Sequence, residues 1–233
     1  EIVDGQALRE VLRDASERLD RDYRFVHSRC GGDGNWVSTG IVWDAARFDL
    51  LESRDYPQLL EDEDACSRRQ QPGVLALLED EHGERLAPLS LHFSAFSHGF
   101  DERKEQWQRA LRLAERLEDE LNAPVVFLGD LNSTGFRGEP SAERPFVEDT
   151  VEQAGRELLT VDIDCTEYWR PDGKSFAPSV LDHIVVGDGD WTPARAHGMC
   201  EALACQTVTD PADMHPDFRA VSDHCPVSVD LRP

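Results

Sequence analysis

The sequence is short of basic residues and of lysine above all: Lys104 and Lys174 are the only lysines among 24 Lys and Arg. Against them stand 47 Asp and Glu, for a formal net charge of −23. Such a surface repels phosphate polymers at long range, which excludes steering onto nucleic acid by the global field. A substrate that carries phosphate therefore calls for a local cation at the site. Solubility alone also accounts for the charge, and the scarcity of lysine reads as a compositional bias of the source genome. No apolar run approaches the roughly 18 residues needed to cross a bilayer. No basic stretch followed by an apolar one marks a signal peptide within these residues. There is no internal repeat, no low-complexity block and no linker. A basic patch interleaved with aromatics, the mark of a surface for single-stranded nucleic acid, is missing too.

Six cysteines, at positions 30, 66, 165, 200, 205 and 225, include no Cys-x-x-Cys pair matched by a second, which argues against a structural zinc site. Their even number and wide scatter fit disulfides formed in an oxidising compartment, with the connectivity open. Buried free thiols are the alternative. The expectation is a secreted or periplasmic protein whose signal segment precedes Glu1, with a cytoplasmic location as the alternative. Cys225 is read as a packing residue or a disulfide partner, and Cys200 and Cys205 as braces for the loop before the last motif.

A hydrophobic share of 39%, with ten Phe and five Trp, can fill one sizeable core in 233 residues. Residues 1–233 are read as a single domain. Apolar spacing predicts helices over Asp4–Leu19 and Asp101–Leu121. Strand-like segments are predicted at Tyr23–His27, Val37–Trp43, Phe48–Leu51, Val74–Leu78, Ala87–Phe93, Pro124–Leu128, Val180–Val186 and Cys225–Leu231. A further helix is expected near Glu148–Leu158 and a strand near Leu159–Ile163. Strand, long helix and strand in succession (87–93, 101–121, 124–128) suggest a crossover in a layered α/β domain.

Chemistry-bearing residues gather where strands end. Phe127-Leu-Gly-Asp-Leu-Asn-Ser-Thr134 presents Asp130 and Asn132 two residues apart, so that one side receives a carboxylate and an amide. The carboxylate can orient a metal-bound water, and the amide can donate to a phosphoryl oxygen without adding charge. Val221-Ser-Asp-His-Cys-Pro-Val227 puts Asp223 beside His224, suited to metal binding and proton transfer near neutral pH. Ser179-Val-Leu-Asp-His-Ile-Val-Val186 offers Asp182, and Leu89-Ser-Leu-His-Phe93 offers His92. Each motif has a plain structural explanation when taken singly: turn residues, caps, or a core histidine.

In this order, the four motifs resemble the endonuclease/exonuclease/phosphatase superfamily, and the resemblance covers essentially the whole chain. It implies a four-layer α/β sandwich, two mixed β-sheets packed face to face with helices on the outer faces, and hydrolysis of phosphate esters. Carried over by position, His92 contacts the scissile phosphate and protonates or stabilises the leaving oxygen. Asp130 and Asn132 position the attacking water and the phosphate. Asp182 orients His224, which activates water or stabilises the transition state, and Asp223 is the metal-linked carboxylate beside it. The family opens with a strand bearing an Asn, and its principal metal carboxylate is the Glu of a Gln-Glu pair. The start Glu1-Ile-Val-Asp matches that Glu, so Glu1 is the implied ligand and the first strand is expected to be missing from this chain. Arg69, with Arg68, resembles an arginine near the substrate phosphate. The implied cofactor is Mg2+, with Mn2+ or Ca2+ as alternatives, because the proposed ligands are oxygens. The expected partner is a phosphate-ester substrate, DNA or RNA first, a phospholipid or small phosphoester second, acted on by a monomer. A non-catalytic binding domain on the same fold is the rival reading.

Overall fold

The computed structural model describes residues 5–28, 38–56, 73–95, 99–137, 141–171 and 173–232. Its contacts fall into two compact units, one of Glu1–Ser94 with Glu105–Gly129, the other of Ala95–Lys104 with Asp130–Pro233.

The first unit contains α1 (Gly5–Leu19), β1 (Tyr23–His27), β2 (Gly40–Asp44), β3 (Phe48–Tyr56), β4 (Gly73–Asp80), β5 (Arg85–Leu91), most of α2 (Phe100–Leu121) and β6 (Val125–Asp130) up to Gly129. Strands β3, β4, β5 and β6 are hydrogen-bonded in that order, the first two pairings antiparallel and β5–β6 parallel. The mixed sheet and the crossover through α2 agree with the sequence. Leu75, Leu89 and Phe127 are register partners across β4, β5 and β6 and share one face. Trp107 of α2 meets Phe127 and Phe93 edge-on, with ring centroids at 5.9 and 5.5 Å, so that face looks onto the helix. The other face of β4 packs Val74, Ala76 and Leu78 against Ile41 and Trp43 of the antiparallel hairpin β1–β2. On the far side of that hairpin the guanidinium of Arg9 in α1 lies 5.6 Å from the Phe25 ring centroid. Helix, sheet, sheet and helix follow one another, the four layers expected of the fold.

Both long helices stop at a residue with left-handed backbone, Asp20 (φ 52°) after α1 and Asn122 (φ 48°) after α2, side chains that tolerate this conformation. The stripe predicted for α1 is only half covered. Leu8, Leu12 and Ala15 are partly buried, whereas Val11 is 63% exposed. Strand β3 runs to Tyr56, five residues beyond its predicted end.

The second unit is built of shorter pieces: α3 (Glu143–Gln153), β7 (Glu157–Leu158), β8 (Glu167–Trp169), β9 (Ala177–Ser179), β10 (Asp182–Val186), β11 (Arg195–Ala196), α4 (Met199–Ala202), α5 (Asp217–Ala220) and β12 (Val227–Ser228). Strand β10 pairs with β7, β8 with β9, and β11 with β12, all antiparallel. The helix expected near Glu148–Leu158 starts earlier and ends at Gln153, because the chain turns at Gly155 (φ 67°) and Leu158 joins β7. Two disulfides, Cys165–Cys205 and Cys200–Cys225, lie in a cluster with Tyr168, Phe176, Met199 and Val208. Cys30 and Cys66 lie outside the described residues.

Candidate active site

Within the second unit four segments converge on one imidazole. The first leaves β6 at Asp130. One residue earlier, in the first unit, Gly129 has φ 144°, and a Cβ there would fall 1.9 Å from the Leu91 carbonyl oxygen, so no other residue fits. Beyond the strand the backbone N–H of Asn132 donates to Asp130 Oδ1 at 2.9 Å, closing a tight turn in which Asn132 takes φ 51°. The N–H of Leu131 donates to the Leu181 carbonyl at 3.0 Å and ties this turn to the start of β10.

Asp182, first residue of β10, is held by Thr166, whose hydroxyl oxygen accepts the N–H groups of Leu181 and Asp182 at 3.0 and 3.1 Å. Thr166 also fixes the last motif, since its carbonyl accepts the N–H of Cys225 at 2.7 Å. The N–H of Tyr168 donates to the Asp223 carbonyl at 3.0 Å, and so His224 is set opposite Glu167. The result is a hydrogen bond of 2.9 Å between His224 Nδ1 and Asp182 Oδ2. On the other edge of the ring, Nε2 faces Glu167 Oε2 at 3.6 Å and Asp130 Oδ2 at 3.9 Å.

Charge follows from this geometry. Burial by itself would lower the pKa of His224. The hydrogen bond and charge of Asp182, then the charges of Asp130 and Glu167, outweigh it and raise the imidazole to about 10. Glu167 is pushed above the usual carboxylate range, mainly by burial and further by the charges of Asp130 and Asp182, against the Ser179 hydrogen bond and the His224 charge. The His224 side chain keeps 26% of its surface open to solvent, so the carboxylate-lined ring is accessible.

The structure thus brings together Asp130, Asp182 and His224, with Asn132 on the turn that carries Asp130. Asp223 stands next to His224 with its side chain exposed. His92 follows β5 in the first unit, half-buried. Glu1 and Arg69 lie outside the described residues. Among the described residues no three His, Cys, Asp or Glu side chains are placed to hold a metal together. The carboxylates of Asp130, Asp182 and Glu167 surround a single imidazolium, and Asp223 beside it is a hard oxygen donor of the kind a divalent cation takes. Sequence reasoning missed Glu167. Its only signal is a carboxylate inside the short segment Cys165-Thr-Glu-Tyr-Trp169, where burial of an acid requires a partner.

Residues 13–224 match the model of the Endonuclease/Exonuclease/phosphatase family. The chain belongs to that family. A mannosyl-6-phosphatase of Bacteroides thetaiotaomicron is similar in structure, with 19% identity and a TM-score of 0.63 over 96% of this chain and 82% of that one. The D. rerio TDP2 protein, complexed with single strand DNA product, gives 18%, 0.63, 96% and 82%. The human Nocturnin catalytic domain with bound sulfate anion gives 17%, 0.56, 94% and 76%. No curated protein matches the chain in sequence. These likenesses carry the fold, and the family carries a phosphoesterase-type hydrolase architecture.

Proposed function

We propose that this protein is a divalent-metal-dependent hydrolase of phosphate esters, acting as a phosphodiesterase on nucleic acid. The observation that carries the reading is the Asp182–His224 pair at 2.9 Å, with Asp130 facing the same ring. A carboxylate on Nδ1 fixes the orientation of the imidazole and stabilises its charged form. Nε2, which carries a proton in that charged form, then stabilises charge growing on the phosphoryl oxygens. Asn132 donates to a phosphoryl oxygen, and His92 acts at the leaving oxygen. Asp223 and Glu1 would hold the ion, Mg2+ by preference, and Arg69 would serve the substrate phosphate. When bound, the ion polarises the ester and supplies positive charge that the acidic surface lacks. The disulfides Cys165–Cys205 and Cys200–Cys225 favour an oxidising compartment, hence a secreted or periplasmic protein.

A small phosphoester is the second substrate class, favoured by the net charge of −23 and by a structural neighbour named as a mannosyl-6-phosphatase. The test is turnover of plasmid DNA and of bis-p-nitrophenyl phosphate by the wild type and a His224→Ala variant, with Mg2+ or with EDTA. Wild-type turnover should vanish in EDTA and fall roughly 10²–10⁴-fold in the variant. Activity indifferent to both would overturn the reading.

A further inference from the structure

Glu167 has no part in the reaction as described so far, yet its carboxylate lies beside the same imidazole and is nearly buried, with 8% of the side chain exposed. One oxygen is committed, because Oε1 accepts the hydroxyl of Ser179, its register partner across β8 and β9. The other, Oε2, is 3.6 Å from His224 Nε2, and Asp130 Oδ2 is 3.9 Å from the same nitrogen. Both separations exceed the roughly 3.2 Å reach of a direct N–H···O hydrogen bond, which leaves a water set to one side of the three atoms as the way to join them. Nδ1 is engaged with Asp182, so Nε2 is the nitrogen left for chemistry. One donor nitrogen and two acceptor oxygens therefore border one small volume. A water there would donate one hydrogen to Asp130 and one to Glu167 and accept Nε2–H, which would leave a lone pair free.

We propose that Glu167 is a further catalytic residue whose Oε2 holds the attacking water against Asp130 and His224. The inference rests on the phosphoester-hydrolase reading above and adds to it. The free lone pair of the water forms the new P–O bond. The water proton directed at Glu167 passes to Oε2. The bond to the leaving oxygen breaks, and that oxygen keeps the electron pair and takes a proton from solvent. The carboxylic acid of Glu167 then returns its proton to solvent, so the cycle closes without any co-reactant.

The experiment compares wild type with Glu167→Gln on bis-p-nitrophenyl phosphate, with Mn2+ binding measured by titration calorimetry in the absence of substrate. The amide keeps the size of the side chain and an oxygen for Ser179 but cannot take the proton. The expected result is a fall in kcat of roughly 10²-fold or more, with KM, Mn2+ affinity and melting temperature unchanged. Unchanged kcat would show that Glu167 only packs. A fall in kcat accompanied by lost Mn2+ affinity would make it a metal ligand; either result overturns the proposal. Should Glu167→Gln fail to fold, Ser179→Ala removes the anchor of the carboxylate while keeping the acid itself. That variant should lose kcat at constant KM, and full activity in it counts against the role equally. A wild type inert towards the ester sinks the hydrolase reading itself, whereas equal turnover in wild type and variant sinks only the role of Glu167.

Discussion

In the first unit the large, fully buried side chains are Trp107, Phe93, Phe127, Leu75, Leu89, Leu91 and Leu117, carried mainly on strands of six to eight residues and a helix of 22. In the second they are Arg103, Tyr168, Phe176, Leu131 and His183 among the described residues, and the strands there have two to five residues. Long elements satisfy their own backbone and can bury apolar faces. Short ones leave polar groups to be satisfied by side chains, and so the second unit encloses Thr160, Thr166, Glu143 and Glu167 as well. Two disulfides bind it covalently. A catalytic constellation needs polar groups held in place, and the unit that holds them builds its apolar cluster, around Tyr168, Phe176, Met199 and Val208, from short elements. The crosslinks lie within that cluster and add to what its burial supplies.

Removing the crosslinks should have the largest effect. The bonds join residues 40 and 25 apart, for which chain entropy assigns about 3–4 kcal/mol each. Replacing Cys165, Cys200, Cys205 and Cys225 by Ser should cost roughly 7 kcal/mol, a large part of an ordinary domain's net stability of about 5–15. Hydrogen exchange should then show the amides of Tyr168 and Val208 unprotected, with those of Leu89 and Phe127 retained. Equal loss in both regions would break the contrast between them. The next largest effect is expected at the ion pair of Arg103 and Glu143, whose side chains are 0% and 2% exposed. Two hydrogen bonds of 2.6 and 2.8 Å join them, and Thr134 donates to the same carboxylate at 3.0 Å. Glu143→Ala takes the carboxylate from a buried guanidinium and should cost about 3–5 kcal/mol in urea unfolding, whereas replacing both residues by Met and Leu should cost far less. A double variant as unstable as the single would mean that the pair contributes more than it costs to bury.

How much of this was legible in the sequence follows the same division. The crossover 87–93, 101–121, 124–128 could be read because its apolar spacing is regular, one apolar stripe on α2 and a continuous apolar run in β6. Asp130, Asp182 and His224 could be read because each stands in a short motif at a strand terminus. Glu167 could not, because its partners Ser179 and His224 are 12 and 57 residues away and β8 has only three residues. The disulfide pairing was also beyond reach, since it depends on loops that have no periodicity. The helix α3 was placed five residues late, because its N-terminal turn is fixed by the buried partner of Glu143 and not by an apolar stripe.

His183 gives the smallest of these effects and isolates one buried polar group. The ring is fully buried, its Nδ1 hydrogen-bonded with Thr160 Oγ1 at 2.9 Å and its face 4.5 Å from the Phe136 centroid. Burial lowers its pKa to about 4, although the Asp182 charge and the Ser133 backbone act in the other direction. The unfolded chain takes up a proton near pH 6.5, the folded one only near 4. The contribution is therefore complete above pH 6.5 and is lost as pH falls through that window, up to about 3 kcal/mol. His183→Asn keeps a hydrogen-bonding group near Thr160 but does not titrate. Urea unfolding of both proteins at pH 7, 5.5 and 4.5 removes every shared titration from the difference. The wild type should lose stability relative to the variant as the pH falls. Parallel curves would mean that the folded protein accepts a proton on His183, and the second unit would then tolerate a buried charge that the first, with its apolar core, would not.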